Sequence, residues 1–132
     1  MTYSARHESW AQFISRKRQE WEKEKEKQRL WMKDIGRKGK QSFVREAFTF
    51  MPQTTLKEKV FVIERLRHAT HKGVLTHPQR LGYREYRIGY FIVGKNGRRK
   101  GKWTWGQFCP LIPVNDLRRL LDKAKKENTI LA

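Results

Sequence analysis

An excess of eighteen formal positive charges, on a chain of only 132 residues, limits what this sequence can fold into: thirty-one Lys and Arg stand against thirteen Asp and Glu. A compact domain with that much charge of one sign repels itself, so the excess answers to a polyanion the protein meets. Apolar residues make up 37% of the chain and charged residues 33%, which leaves material for a small core. Seven Phe, five Trp and four Tyr enlarge it, since each large ring buries on the order of 150–250 Å². A disordered tail does not carry that many aromatics. The expected fold class is α+β, with a long N-terminal helix, a central helix, a basic β-hairpin and a C-terminal amphipathic helix in one small domain.

The charge runs through the whole chain. Residues 1–40 hold 12 basic and 6 acidic side chains, residues 41–94 hold 9 and 4, and residues 95–132 hold 10 and 3. The last stretch is the most one-sided. Residues 1–40 read as a long charged helix followed by a basic linker, and residues 41–132 as a small α+β domain containing the hairpin.

Residues 8–35 contain no Gly or Pro and place Trp10, Ile14, Trp21, Trp31 and Ile35 on one heptad seam, interrupted by Lys17, Glu24 and Gln28. The expectation is a single helix held by aromatics at both ends, with a solvated middle that ion pairing supports only weakly. Gly36 to Lys40 reads as the linker. Residues 42–51 fit either a helix or a strand, ended by Pro52. Thr55 to Glu58 has the spacing of a capping box, opening a helix over residues 56–72 with Leu56, Val60, Ile63 and Leu66 as its stripe and Gly73 at its C-cap.

The strand signal is clearest at Glu85–Val93, where Tyr86, Ile88, Tyr90 and Ile92 share a face. Lys102–Phe108 is the expected return strand, with Trp103 and Trp105 on a common face. The connection from Gly94 to Gly101 holds three glycines and the turn pair Asn96-Gly97. Asn115 is the expected cap of a last helix, whose Leu117, Leu120, Leu121 and Ala124 form an apolar stripe.

The hairpin tip is the sharpest functional signal. Lys95, Arg98, Arg99, Lys100 and Lys102 crowd one glycine-rich loop, and clustered cations of this kind follow a phosphate backbone. In the last helix, Arg118, Arg119, Lys123, Lys125 and Lys126 stand away from the leucine stripe, and Arg118 and Arg119 recur with Lys125 and Lys126 at i,i+7. Tyr86, Tyr90, Trp103 and Trp105 either stack on unpaired bases or pack beneath the last helix. A small chain with few other core residues favours packing.

His68, His71, His77 and Cys109 raise the question of zinc. Cys109 stands alone beside Phe108 and Leu111, where a buried thiol is ordinary, so no metal and no cofactor is expected. One cysteine also excludes an intramolecular disulfide framework. No apolar run approaches the ~18 residues of a membrane span, no signal-peptide core is evident, and cytoplasmic residence is expected. Arg87-Ile-Gly-Tyr-Phe-Ile-Val-Gly94 superficially resembles the lettering of the GIY-YIG nuclease core. One short strand supplies every matching letter and the separated second motif is missing, so the match is read as coincidence.

The function expected from these residues is non-enzymatic nucleic-acid binding, with DNA and RNA equally open. Phosphate contacts are assigned to Lys95, Arg98, Arg99, Lys100, Lys102, Arg118 and Arg119, and base stacking is left open for the four strand aromatics. A winged-helix arrangement, with residues 42–72 as paired helices and 86–108 as the wing, lacks the short turn between helices that such a motif needs. The alternative is an accessory protein whose 10–35 helix docks on an acidic protein or nucleoprotein, with a small metal-dependent nuclease behind it.

Overall fold

Val60-Phe-Val-Ile63 is apolar without alternation and rich in β-branched side chains, the composition of a strand covered on both faces. It forms the middle of the sheet in the computed structural model, which describes residues 7–32, 36, 40–72 and 82–132, the last three of the 40–72 stretch by backbone alone. The elements run α1 (Trp10–Glu24), β1 (Arg29–Met32), β2 (Lys40–Gln53), β3 (Leu56–Lys72), β4 (Arg84–Val93), β5 (Trp103–Trp105) and α2 (Val114–Lys126). The five strands lie in sequence order, and every neighbouring pair is antiparallel.

One helix covers each face. On one face Phe13 and Trp21 of α1 pack with Phe48, Phe50, Val60, Val62 and Phe91 of the sheet, with Trp10, Ile14, Trp103 and Trp105 around them. On the other face Leu120 and Ala124 of α2 pack with Phe61 and Ile63 of β3, with Met51, Tyr90, Ile112, Leu121 and Ile130 around them. Alternate residues of β3 therefore feed two cores. The mixed α+β class and the two terminal helices agree with the sequence expectation.

The central helix does not. Residues 56–72 are β3, and the stripe read at helical spacing is dispersed: Val60 packs towards α1, Ile63 towards α2, and Leu56 is exposed. Thr55 and Glu58 form no capping box; the Gln53 amide donates to Thr55 Oγ1 at 2.9 Å, and Glu58 bonds elsewhere. Val60, Val62 and Ile63 gain more from two packed faces of a sheet than a helix with one covered face would give them. Residues 42–51 resolve as strand, which removes the winged-helix arrangement. Pro52 does not end β2; it lies on the stretch beyond the β1 pairing, where an edge tolerates a missing N–H.

The long N-terminal helix is also shorter than expected. It stops at Glu24, Glu26 takes a left-handed φ of 65°, and residues 29–32 become the edge strand β1. Like charges at i,i+4 give the Glu22–Lys27 run little helical support, and pairing with β2 satisfies the backbone instead. Trp10, Ile14 and Trp21, offered by the sequence to a partner chain, pack on the chain's own sheet. Ile35, most of the 36–40 linker, Gly73 and His77 lie outside the described residues. Ser9 and Gln12 cap α1 reciprocally, a Ser-x-x-Gln signal present in the sequence and overlooked there. The last helix is as expected except at its start: Pro113, not Asn115, is the N-cap residue. No described helix is long and apolar enough to cross a membrane.

Candidate nucleic-acid interface

Antiparallel pairing places residues of adjacent strands side by side, and here it sorts the charges. Phe48, Glu64 and Arg87 form one row across β2, β3 and β4. Glu64 is fully buried, and both its oxygens accept from Arg87 Nη2 at 2.9 Å while Arg45 Nε donates at 3.3 Å. The Arg45 guanidinium lies 3.6 Å from the Trp21 ring and that of Arg87 lies 4.9 Å from Trp105. Burial lowers the Arg45 pKa, and the Glu64 carboxylate opposes that change. Arg45, Glu64 and Arg87 thus form an Arg–Glu–Arg cluster closed over by aromatics.

A second cluster gathers around Glu46, the extra residue of a β2 bulge. Its carboxylate accepts from Arg65 Nε at 2.9 Å, Arg67 Nη1 at 2.6 Å and Arg84 Nε at 2.8 Å. Burial pushes this carboxyl up, but the bonds from Arg84, Arg65 and Arg67 outweigh it and hold the pKa below the usual value. Arg67 also reaches Glu26 at 2.8 Å, and its own pKa is raised by these two carboxylates. Five arginines that composition alone counts as free cations, Arg45, Arg65, Arg67, Arg84 and Arg87, are therefore held by Glu46 and Glu64.

The predicted contact residues lie at the opposite end of the sheet. The β2–β3 turn is the common reference there. Lys95, at the base of the β4–β5 loop, bonds Glu58 at 2.6 Å, and Asp116, in the first turn of α2, accepts from Thr54 N at 3.0 Å and Thr54 Oγ1 at 2.8 Å. The basic loop and the start of α2 are thereby held against the same turn. The start of α1 joins them, because His7 Nε2 lies 3.0 Å from Glu58 and Trp103 Nε1 donates to the Glu8 carbonyl at 2.9 Å.

The loop is closed by its own backbone. Gly94 N donates to Lys102 O, Gly101 N to Gly94 O, and Lys102 N to Arg99 O, all within 3.0 Å. Gly97 and Gly101 take φ values of 65° and 73°, which L side chains rarely adopt. The cations are thus presented on a folded tip instead of a loose chain. Lys95 is spent on Glu58, whose carboxyl that bond holds below the usual range against burial. Arg98, Arg99, Lys100 and Lys102 are exposed and have no carboxylate partner among the described residues, and the same holds for Arg118, Arg119, Lys125 and Lys126 on α2. Lys123 differs, bonding the Phe50 carbonyl at 2.7 Å and Glu127 at 3.0 Å.

The four strand aromatics do not share a face. Trp103 stacks on Phe13 at 4.6 Å and Trp105 meets Phe91 edge-on at 5.0 Å, both on the α1 side. Tyr90 packs on the α2 side, and the Tyr86 hydroxyl accepts from Leu131 N at 2.8 Å on that side. The exposed Phe108 and Leu111, in the segment between β5 and α2, and Val114, the first residue of α2, were not singled out as a site from the sequence. The expected return strand covers only residues 103–105, and Cys109 is exposed instead of buried because the chain leaves the sheet at Gly106.

Among the described residues no three His, Cys, Asp or Glu gather where they would hold a metal ion. His68 is buried against Phe43, with Nε2 2.9 Å from Glu85. A depression beside the loop, lined by His7, Glu58, Lys95 and Lys100, measures about 170 Å³, below the roughly 300 Å³ at which small-molecule sites begin. Set against family models, curated proteins and solved structures, the chain matches none of them.

Proposed function

We propose that this protein binds nucleic acid through phosphate contacts made by the β4–β5 loop and the first turns of α2. The observation that carries the reading is the partition of charge. Among the described carboxylates only Asp122 has no bonded partner, and the acids concentrate their pairing on cations of the sheet and of α1. Arg98, Arg99, Lys100, Lys102, Arg118 and Arg119 are left uncompensated at one end of the sheet. Cations so placed release condensed counterions when they meet phosphates, which supplies affinity without sequence information.

The test is a salt titration of binding to labelled duplex DNA, single-stranded DNA and structured RNA. On duplex DNA the logarithm of the association constant is expected to fall with log salt at about −0.9 per phosphate contacted. Replacing Arg98, Arg99 and Lys100 together with Ala flattens the slope by up to about three contacts. Binding that is indifferent to salt would end the proposal, and an unchanged slope in the triple variant would remove the loop from it.

A further inference from the structure

Phe108, Leu111 and Val114 present large apolar side chains to water at 79%, 83% and 81% exposure. Phe108 and Leu111 lie on the segment that crosses from β5 to α2 and Val114 opens α2, and the three are taken together as a ridge. The ridge is anchored from below: Ile112 turns into the core with Phe61 and Tyr90, and Lys59 Nζ donates to the Leu111 carbonyl at 3.2 Å. Pro110 and Pro113 fix two of its φ angles. An exposed aromatic and two aliphatics on a braced segment mark a contact surface more than a stray loop.

Its surroundings restrict the occupant. On one side β5 is three residues long, about 10 Å, and leads straight back to Arg98–Lys102. On the other, Arg118 and Arg119 follow within the next helical turns. The carboxylate in the first turn of α2, Asp116, is buried on Thr54. The partner must then be anionic overall and still offer apolar faces. A second copy of this chain would bring +18 against +18 and is disfavoured by repulsion. Uninterrupted duplex supplies the phosphates and hides its base faces in the stack. Nucleic acid with unpaired bases supplies both.

Resting on the phosphate reading above, we infer that the 108–114 ridge is a wedge for unstacked bases: Phe108 lies on an exposed base face, Leu111 and Val114 pack beside it, and the flanking cations hold the adjoining phosphates. Apolar wedges of Phe and Leu beside Arg and Lys are a known physical means of stabilising unstacked steps. The preferred ligand is then a duplex interrupted by a bulge, or a single strand.

The experiment compares the full chain and the Phe108→Ala/Leu111→Ala variant on three probes adjusted in length to equal phosphate number: a plain duplex, a duplex with a central bulge carrying 2-aminopurine, and a single strand. Both replaced side chains are exposed, so the fold is retained, and circular dichroism checks it. The expected result is a preference of the natural chain for the bulge and single strand on the order of tenfold, the yield of one stacked base. In the variant that preference is lost, while affinity and salt slope on plain duplex are kept. Cys109, the sole cysteine and exposed, gives a reading without any substitution: saturating bulged probe slows its alkylation. Equal affinity for all three probes, a preference that survives in the variant, or an unprotected Cys109 would overturn the wedge and leave the phosphate reading standing. Failure to bind any probe would overturn both. Binding of the natural chain but not the variant to phosphatidylserine vesicles, with equal affinity for the three probes, would assign the ridge to a lipid surface instead.

Discussion

Trp105 closes over Gly89 so tightly that a Cβ built on that glycine would lie 2.3 Å from the indole Cη2. Gly89 sits opposite Val62 in the middle of the sheet, so the indole fills the gap left by the missing side chain. Arg87, two residues earlier on β4, rests on the same indole and bonds Glu64. The Ile-Gly-Tyr letters that resemble a nuclease core thus have a packing role. Gly89→Ala is expected to destabilise by about 1–3 kcal/mol, the usual cost of overpacking, read as a lower urea midpoint at unchanged slope. A midpoint equal to that of the natural chain would mean that the indole swings aside freely.

Glu64 tests whether the buried row is held by charge or merely occupied by it. Its carboxylate is fully buried and lies between Arg45 and Arg87. Glu64→Gln keeps the shape and removes the charge, leaving the buried Arg45 without its main partner. A loss of about 3–5 kcal/mol is expected. Replacing Arg45, Glu64 and Arg87 together by Met, Leu and Met removes the unpaired charges as well, and should recover most of that loss. If Glu64→Gln cost under about 1 kcal/mol, the ion cluster would contribute little to the fold. Both variants are compared by denaturant unfolding at one pH and salt.

What could be read from the sequence divides along physical lines. The β4–β5 hairpin and α2 are local: alternation at Tyr86–Ile92, the Asn96-Gly97 turn and the leucine stripe each lie within a few residues of what they determine. The strand β3 is not local. Val60-Phe-Val-Ile63 fits a buried strand or a helix equally until something covers its second face, and that cover comes from α1 and α2, some fifty residues away in each direction. The basic loop was visible as composition, but its compensation was not. That Lys95 is neutralised by Glu58, and that Arg45, Arg65, Arg67, Arg84 and Arg87 are bound to Glu46 and Glu64, depends on strand register, which no spacing in the sequence reveals. The ridge at Phe108 was hidden for a related reason. Phe108 reads as the last residue of a return strand until β5 proves to be three residues long.

The Glu46 cluster makes stability depend on acid in a definite direction. Burial raises the Glu46 pKa, bonds from Arg84, Arg65 and Arg67 lower it further, and the net position in the folded chain is below the ordinary 4.5. Glu58 and Glu8 are depressed as well, chiefly by their bonds to Lys95 and Arg16. A carboxyl with a folded pKa below its unfolded one releases its proton more readily when folded. Its contribution is therefore complete above about 4.5 and is lost as pH falls through the folded pKa. The natural chain should keep its urea midpoint from neutral pH down to about 4.5 with respect to these groups, then lose it progressively on further acidification. Glu46→Gln should cost about 1.5–3 kcal/mol at neutral pH, the range for hydrogen bonds to a charged group. The gap from the natural chain should narrow as pH falls from about 4.5 through the lower folded pKa, and close once Glu46 is protonated in both the folded and unfolded chain. Urea titrations of the two proteins at a series of pH values, at constant ionic strength, decide the matter. A gap that stays constant into strong acid would mean that Glu46 is not held ionised by its three arginines.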